Sequence, residues 1–132
     1  MKRLGIVIMI AAMLTSGAGL CHADKKKNSV YLFGISRSFN DSIVYFTDIQ
    51  RIDAYIDNKT NFLSNRNEYS NQLREYLETQ GQGTPTCVTE FSKNRAKIEK
   101  KYLKLKHRFS SKPGYEIKYI TTESFKYNAI EE

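Results

Sequence analysis

The sequence predicts an α+β domain in which a mixed sheet of about four strands carries two helices packed on it in two layers. Three observations lead to this class. Four short runs are rich in β-branched and aromatic residues, and two segments of 14 and 17 residues repeat apolar side chains at helical spacing. The stretches between these runs are polar and contain Gly, Pro, Asn or Asp. The predicted order is an N-terminal β-hairpin followed by helix, strand, helix and strand.

The hairpin comes from two β-rich runs, residues 30–36 and 42–48, joined by a polar turn at 37–41. Residues 43–46 of the second run, Ile-Val-Tyr-Phe, are apolar without alternation, which is typical of a strand in the interior of a sheet. Residues 24–29 are polar, and we expect them to fray.

Residues 49–64 fit two interpretations. Ile49, Ile52, Tyr55 and Ile56 fall near helical spacing, but the polar stretch 58–61 that follows reads as a turn. A short helix and an irregular loop both remain open for this segment.

The first clear helix is predicted over residues 66–79, because Tyr69, Leu73, Tyr76 and Leu77 share one face. Gly81 and Pro85 would end it.

A strand is predicted over 86–91, a second helix over 93–109 with Ser92 as its N-cap, and a last strand over 115–120. Because a helix joins these last two strands, we expect them to pair in parallel through a right-handed crossover. The tail, 121–132, is expected to add a turn and an edge segment around residues 125–127.

Residues 1–23 have the layout of a secretory signal peptide. Lys2 and Arg3 precede an apolar run of about 11 residues, which is too short for a bilayer that needs roughly 20. Cleavage after Ala23 would leave residues 24–132 as one small domain, exported to the periplasm or the cell exterior of a bacterium. A lipoprotein anchored through Cys21 is the alternative, although Leu20 stands where that signal favours a small residue.

Charge is concentrated in the second predicted helix. The chain carries 21 Lys and Arg against 14 Asp and Glu, a net charge of +7, and residues 93–109 alone contain eight cations and one acid. Ile98, Tyr102, Leu105 and Phe109 form an apolar stripe that should face the sheet. The candidate binding residues are cations that flank this stripe or point outward from the helix: Lys97, Lys100, Lys101, Lys104, Lys106 and Arg108.

The partner expected for such a helix is an anionic lipid, a glycan or an acidic protein. Nucleic acid fits less well, because the 14 Lys outnumber the 7 Arg and an exported chain rarely meets nucleic acid. A merely solvated helix face is the alternative interpretation of the same lysines.

Candidates for catalysis are few. Cys87 and His107 could in principle form a thiol–imidazole pair, yet the pattern of residues 86–91 favours a buried, inert thiol, and His107 should point to water. Four carboxylates follow the hairpin and the segment after it: Asp41, Asp48, Asp53 and Asp57. Two acids can hydrolyse glycosides, but such enzymes need a cleft that this small domain is not expected to provide. No metal-ligand or phosphate-loop spacing occurs.

The sequence therefore predicts a small exported binding or interaction module without catalytic residues, bound metal or cofactor. The alternative is a small secreted hydrolase that uses Cys87 or the acidic residues of the hairpin region. With only 2 Cys, 7 Gly and 2 Pro, the composition excludes a disulfide-dense mini-protein and a collagen-like chain.

Overall fold

The computed structural model describes residues 25–131 of the chain. Its elements, in chain order, are β1 (Lys25–Arg37), β2 (Ile43–Thr47), β3 (Gln50–Asp57), α1 (Arg66–Thr79), β4 (Thr86–Ser92), α2 (Arg95–Ser110) and β5 (Glu116–Ile120). A mixed five-stranded sheet with two helices confirms the predicted α+β class. The predicted signal peptide, its cleavage site and Cys21 lie outside the described residues.

β1 is the centre of the sheet. One of its edges pairs antiparallel with β3 over Lys25–Leu32 and with β2 over Ile35–Arg37, and its other edge pairs antiparallel with β4. β5 lies on the far side of β2 and runs parallel to it. The predicted hairpin of β1 and β2 is confirmed. Across the sheet, β4 comes first, then β1, then β2 and β3 along the same edge of β1, and β5 lies outside β2.

A β-bulge separates β2 from β3. Ile35 is opposite Phe46 and Leu32 is opposite Gln50, so the second strand advances one residue more than β1 between these two pairs. The amide of Gly34 donates to the Thr47 hydroxyl at 2.8 Å, which satisfies a buried main-chain donor at this point. The extra residue shifts the alternation of side chains by one position between β2 and β3.

Residues 50–57 therefore form a strand, and neither interpretation of the segment 49–64, a short helix or a loop, is right for them. Ile52, Ala54 and Ile56 point to one face at strand spacing and pack in the same cluster. The helical spacing seen in the sequence arises because Ile49 points to the opposite face, on the other side of the bulge.

The two helices pack on opposite faces of the sheet. Neighbouring residues of a strand face opposite sides, and Leu32 belongs to the cluster under α1 while Phe33 belongs to the cluster under α2. Each helix and the face of the sheet that it covers form one pair of packed layers. The predicted apolar faces of both helices are the ones that contact the sheet.

The expected parallel pairing of the strands at 86–91 and 115–120 is wrong. β4 lies beside β1 and β5 lies beside β2, so α2 crosses over two strands on its way from one to the other. Its aromatic contacts explain the path, because the Tyr102 ring packs edge-on against Phe33 and Phe46, at 5.0 and 5.5 Å between ring centroids.

Two strand and helix boundaries also differ from expectation. β1 begins at Lys25, and residues 25–29 do not fray as expected. They are held because the whole of β3 pairs with Lys25–Leu32. The N-cap of α2 is Asn94 and not Ser92, since the Asn94 side chain accepts a hydrogen bond from the Lys97 amide at 3.0 Å.

The C-terminal tail is part of the core, not an edge segment. Phe125 and Tyr127 are buried beside α1, and their rings meet at 4.9 Å between centroids. The buried Gln50 side chain fixes this arrangement, because its amide donates to the Phe125 carbonyl and accepts from the Tyr127 amide. A single side chain of β3 thereby holds two residues of the tail.

Candidate basic groove

Four of the candidate cations follow one flank of α2. Lys97, Lys101, Lys104 and Arg108 recur at helical spacing, and the Ile98, Tyr102, Leu105 and Phe109 stripe beside them packs on the sheet. Because the stripe fixes the rotation of the helix, this flank is turned toward β4. The lysine stems can lie along the edge of the apolar contact while their ammonium groups stay in water.

Between α2 and β4 lies an open groove of about 370 Å³. We call it the basic groove, and its lining is Glu90, Lys97, Lys100, Lys101, Lys104, Leu105 and Arg108. Five of the six cations predicted from the sequence thus meet at one depression. Lys106 does not, because its ammonium group lies over the Tyr119 ring of β5, 5.3 Å from the ring centroid.

Glu90 is the acid of the basic groove, and cations hold it on two sides. The Lys101 ammonium lies 3.2 Å from one carboxylate oxygen, and the Arg66 guanidinium lies 3.8 Å from the other. None of Lys97, Lys100, Lys104 and Arg108 forms an ion pair within residues 25–131. The groove therefore keeps a surplus of positive charge that the fold does not neutralise.

An apolar pocket of about 250 Å³ adjoins the basic groove and shares Glu90, Leu105 and Arg108 with it. Its apolar lining is Ile35, Phe39, Val88, Leu105 and Phe109. Phe39 is 89% exposed and Val88 is 43% exposed, so apolar surface is available there to a ligand.

A further cation stands at the far end of this pocket. The Arg37 guanidinium donates to the Tyr115 hydroxyl at 2.8 Å and lies over the rings of Phe109 and Tyr115. Arg37, Glu90 and the apolar pocket are not predicted by the sequence, since all three depend on how β1 and β4 are placed against α2. The alternation of β4, which turns Val88 and Glu90 to the same side, was the one available signal.

Cys87 and His107 are not a pair. The Cys87 side chain packs in the cluster under α1, whereas His107 is exposed on α2, on the other side of the sheet. Burial raises the pKa of the Cys87 thiol, and the nearby Ser36 hydroxyl and Arg74 offset only part of this. The thiol is thus half-buried against the core and not fully buried as its sequence pattern suggests.

The four carboxylates of the hairpin region serve separate local roles. Asp41 accepts from the Ile43 amide and Asp57 from the Lys59 amide, so both close turns. Asp48 accepts from the amide and hydroxyl of Thr122 and ties β2 to the tail. Asp53 lies 4.0 Å from Arg51 on the exposed side of β3. These acids do not converge on a common cleft.

Across residues 25–131 there is no group of three or more His, Cys, Asp or Glu side chains placed to hold a metal ion. No helix in that range is long and apolar enough to cross a bilayer. No protein-family model, curated protein or solved structure matches the chain.

Proposed function

We propose that this protein is a small exported binding module that engages an anionic partner through the basic groove and has no catalytic role of its own. The observation that carries the proposal is the groove's charge balance. Lys97, Lys100, Lys104 and Arg108 meet beside a single acid, Glu90, which Lys101 and Arg66 already neutralise. An unpaired cluster of cations attracts anions over a distance set by ionic strength.

The lysines here fit a binding role better than a merely solvated face for a geometric reason. A solvated face spreads its charge around a convex helix, whereas these side chains line one shallow groove together with the apolar Leu105. In a concave site with a low-dielectric wall, field lines are focused and the interaction with an anion is stronger than at an open surface.

Retention on heparin–agarose as a function of salt tests the proposal. The test variant is the triple change Lys97→Glu, Lys100→Glu and Lys104→Glu, which leaves Lys101 in place because it holds Glu90. We expect the wild-type protein to elute at clearly higher salt than this variant. Circular dichroism of both proteins checks that the fold is unchanged.

The matched control is the triple change Lys112→Glu, Lys118→Glu and Lys126→Glu. It alters the net charge by the same amount, and all three side chains are exposed and outside the basic groove. If the two triple variants eluted together, net charge alone would explain retention and the groove would have no special role.

The export part of the proposal is tested separately by the mass of the protein recovered from its own cells. Cleavage after Ala23 predicts a chain that begins at Asp24. A chain that begins at a lipid-modified Cys21 would show that the protein is anchored to a membrane and not released. An uncleaved chain that stays in the cytoplasm would refute export.

A further inference from the structure

We propose that the partner is an extended polypeptide segment that adds as a strand to the open edge of β4, with an apolar side chain in the apolar pocket and a carboxylate in the basic groove. This inference rests on the proposed function, because it names the chemistry of the anionic partner. It requires three things of the structure: a free strand edge, main-chain groups aimed outward, and side-chain sites at strand spacing.

β4 is an edge strand. Within the part of the chain that the structure describes, it pairs with β1 alone. Arg66 covers one point of the free edge, since its guanidinium donates to the Thr89 carbonyl at 2.7 Å. The half of β4 before Thr89 is left without such a cover, and an uncovered edge is a template for another strand. To continue past Thr89 as far as Glu90, the added strand would displace the Arg66 guanidinium from the Thr89 carbonyl, and its own carboxylate would then lie beside that cation.

The register shows which main-chain groups of β4 face outward. Gly34 is opposite Thr89, and the Gly34 amide points to Thr47 on the other side of β1. The Thr89 carbonyl points to Arg66, so this is a pair that does not exchange ladder hydrogen bonds. Alternation then turns both main-chain groups of Cys87 outward as well, while those of Val88 face β1.

The two side-chain sites lie at strand spacing on one side of the same edge. Val88 lines the apolar pocket and Glu90, two residues later, lines the basic groove. Side chains two apart on a strand share a face and lie roughly 7 Å apart. A second strand beside β4 would therefore present alternate side chains to the two sites in turn.

The direction of the added strand follows from this order. An antiparallel strand passes Glu90 before it passes Val88, so its acid precedes its apolar residue by two positions. Its carboxylate would meet Lys97, Lys100 and Lys104, because Glu90 is already held by Lys101 and Arg66. Lipid headgroups and glycans also carry negative charge, but they lack the main chain that the β4 edge could bond.

The probe is a capped peptide with Glu-Thr-Glu-Thr-Leu-Thr at its centre, titrated against the full-length mature protein by fluorescence anisotropy. With Leu opposite Val88, the Thr that follows Leu is opposite Cys87 and donates its amide to the Cys87 carbonyl. N-methylation of that Thr should weaken binding by roughly tenfold, because it removes this hydrogen bond.

The matched control moves the methyl group by one residue, to the amide of Leu. That amide would point away from β4, and this peptide should bind within about twofold of the parent if the predicted register holds. A peptide with Lys in place of both Glu should not bind. On the protein, Val88→Asp should weaken the parent peptide at least tenfold by placing an acid in the apolar pocket, with the fold checked by circular dichroism.

Failure of this inference can be told from failure of the proposed function. If heparin retention depends on the basic groove but the peptide does not bind, the partner is another polyanion and strand addition is wrong. Equal loss of affinity from the two methylated peptides would also refute the strand geometry. If vesicles with anionic lipid bind through the groove and the peptide does not displace them, the partner is a membrane surface.

Discussion

The hydroxyl of Tyr127 lies directly over the main chain of Gly34. A Cβ at position 34 would overlap this hydroxyl and would stand 2.6 Å from a methyl carbon of Leu73. The absence of a side chain in the middle of β1 therefore lets α1 and the C-terminal tail pack down onto the sheet. Gly34 is required for close approach and not for an unusual backbone conformation, because it lies within a regular strand.

Gly34→Ala is accordingly expected to destabilise the protein by about 1–3 kcal/mol, the usual cost of overpacking a core. Urea unfolding measures the change. The double variant with Tyr127→Phe serves as the control, because removal of the hydroxyl relieves the closest overlap and should recover part of the loss. A single variant as stable as the wild type would contradict the close packing at this point.

Stability should fall at alkaline pH because of Tyr127. Its hydroxyl is buried without a partner at hydrogen-bond distance among the described residues. Burial raises its pKa above the ordinary value. Because the pKa of Tyr127 is higher in the folded chain than in the unfolded chain, its protonated form contributes fully to the free energy of unfolding below about pH 10, where the unfolded tyrosine ionises. This contribution is lost as the pH rises further.

The measurement is the urea midpoint of wild type and Tyr127→Phe at neutral pH and above pH 10. Tyr127→Phe should lose less stability over this range, since it has no proton to release. Burial also raises the pKa of Tyr102, so the variant should retain part of the alkaline loss. An identical loss in the two proteins would show that Tyr127 ionises as it does in the unfolded chain.

Cys87 should react slowly with iodoacetamide in the native protein at mildly alkaline pH. Its pKa is raised by burial, and the thiolate is the reactive form. We expect the rate to rise by at least an order of magnitude when urea unfolds the chain. Rapid native alkylation with a lowered pKa would instead favour the hydrolase interpretation in which Cys87 is a nucleophile.

Glu90→Gln should increase the affinity of the basic groove for heparin. The change removes the groove's acid and frees Lys101 and Arg66, which now bind its carboxylate at 3.2 and 3.8 Å. The elution salt concentration should rise relative to wild type. Glu75→Gln is a fair control, because it removes an equal charge from an exposed position on α1, on the other face of the sheet. Equal shifts for the two variants would assign the effect to net charge.

The sequence predicts the elements whose side-chain pattern is set locally. The stripe on α2 and the apolar face of α1 follow from spacing along one helix, and the structure places both against the sheet. β3 was missed because the bulge at Thr47 shifts the alternation by one residue, so no single period describes residues 43–57. Local pattern cannot reveal a shift that is fixed by pairing with a distant strand.

The same division applies to the candidate site. Its lysines are evident from the composition of α2, but their grouping depends on β4, which supplies Glu90 and Val88 from outside the helix. The strand order that brings β4 beside β1 was itself mispredicted, so the groove could not be derived. Lys106 is an example, because it has the same charge as the groove lysines and is close to them in sequence. It nevertheless lies on the opposite flank of the helix.

The bond from Arg66 to the Thr89 carbonyl has a consequence for solubility. Two copies of this chain that paired along the whole of β4 would have to break that bond in each copy before a continuous sheet could form between them. A protein with an uncovered strand edge is exposed to self-association and fibre formation wherever it accumulates. Arg66 limits how far pairing can propagate along β4, and the protein is expected to remain dispersed at concentrations where a bare edge would aggregate.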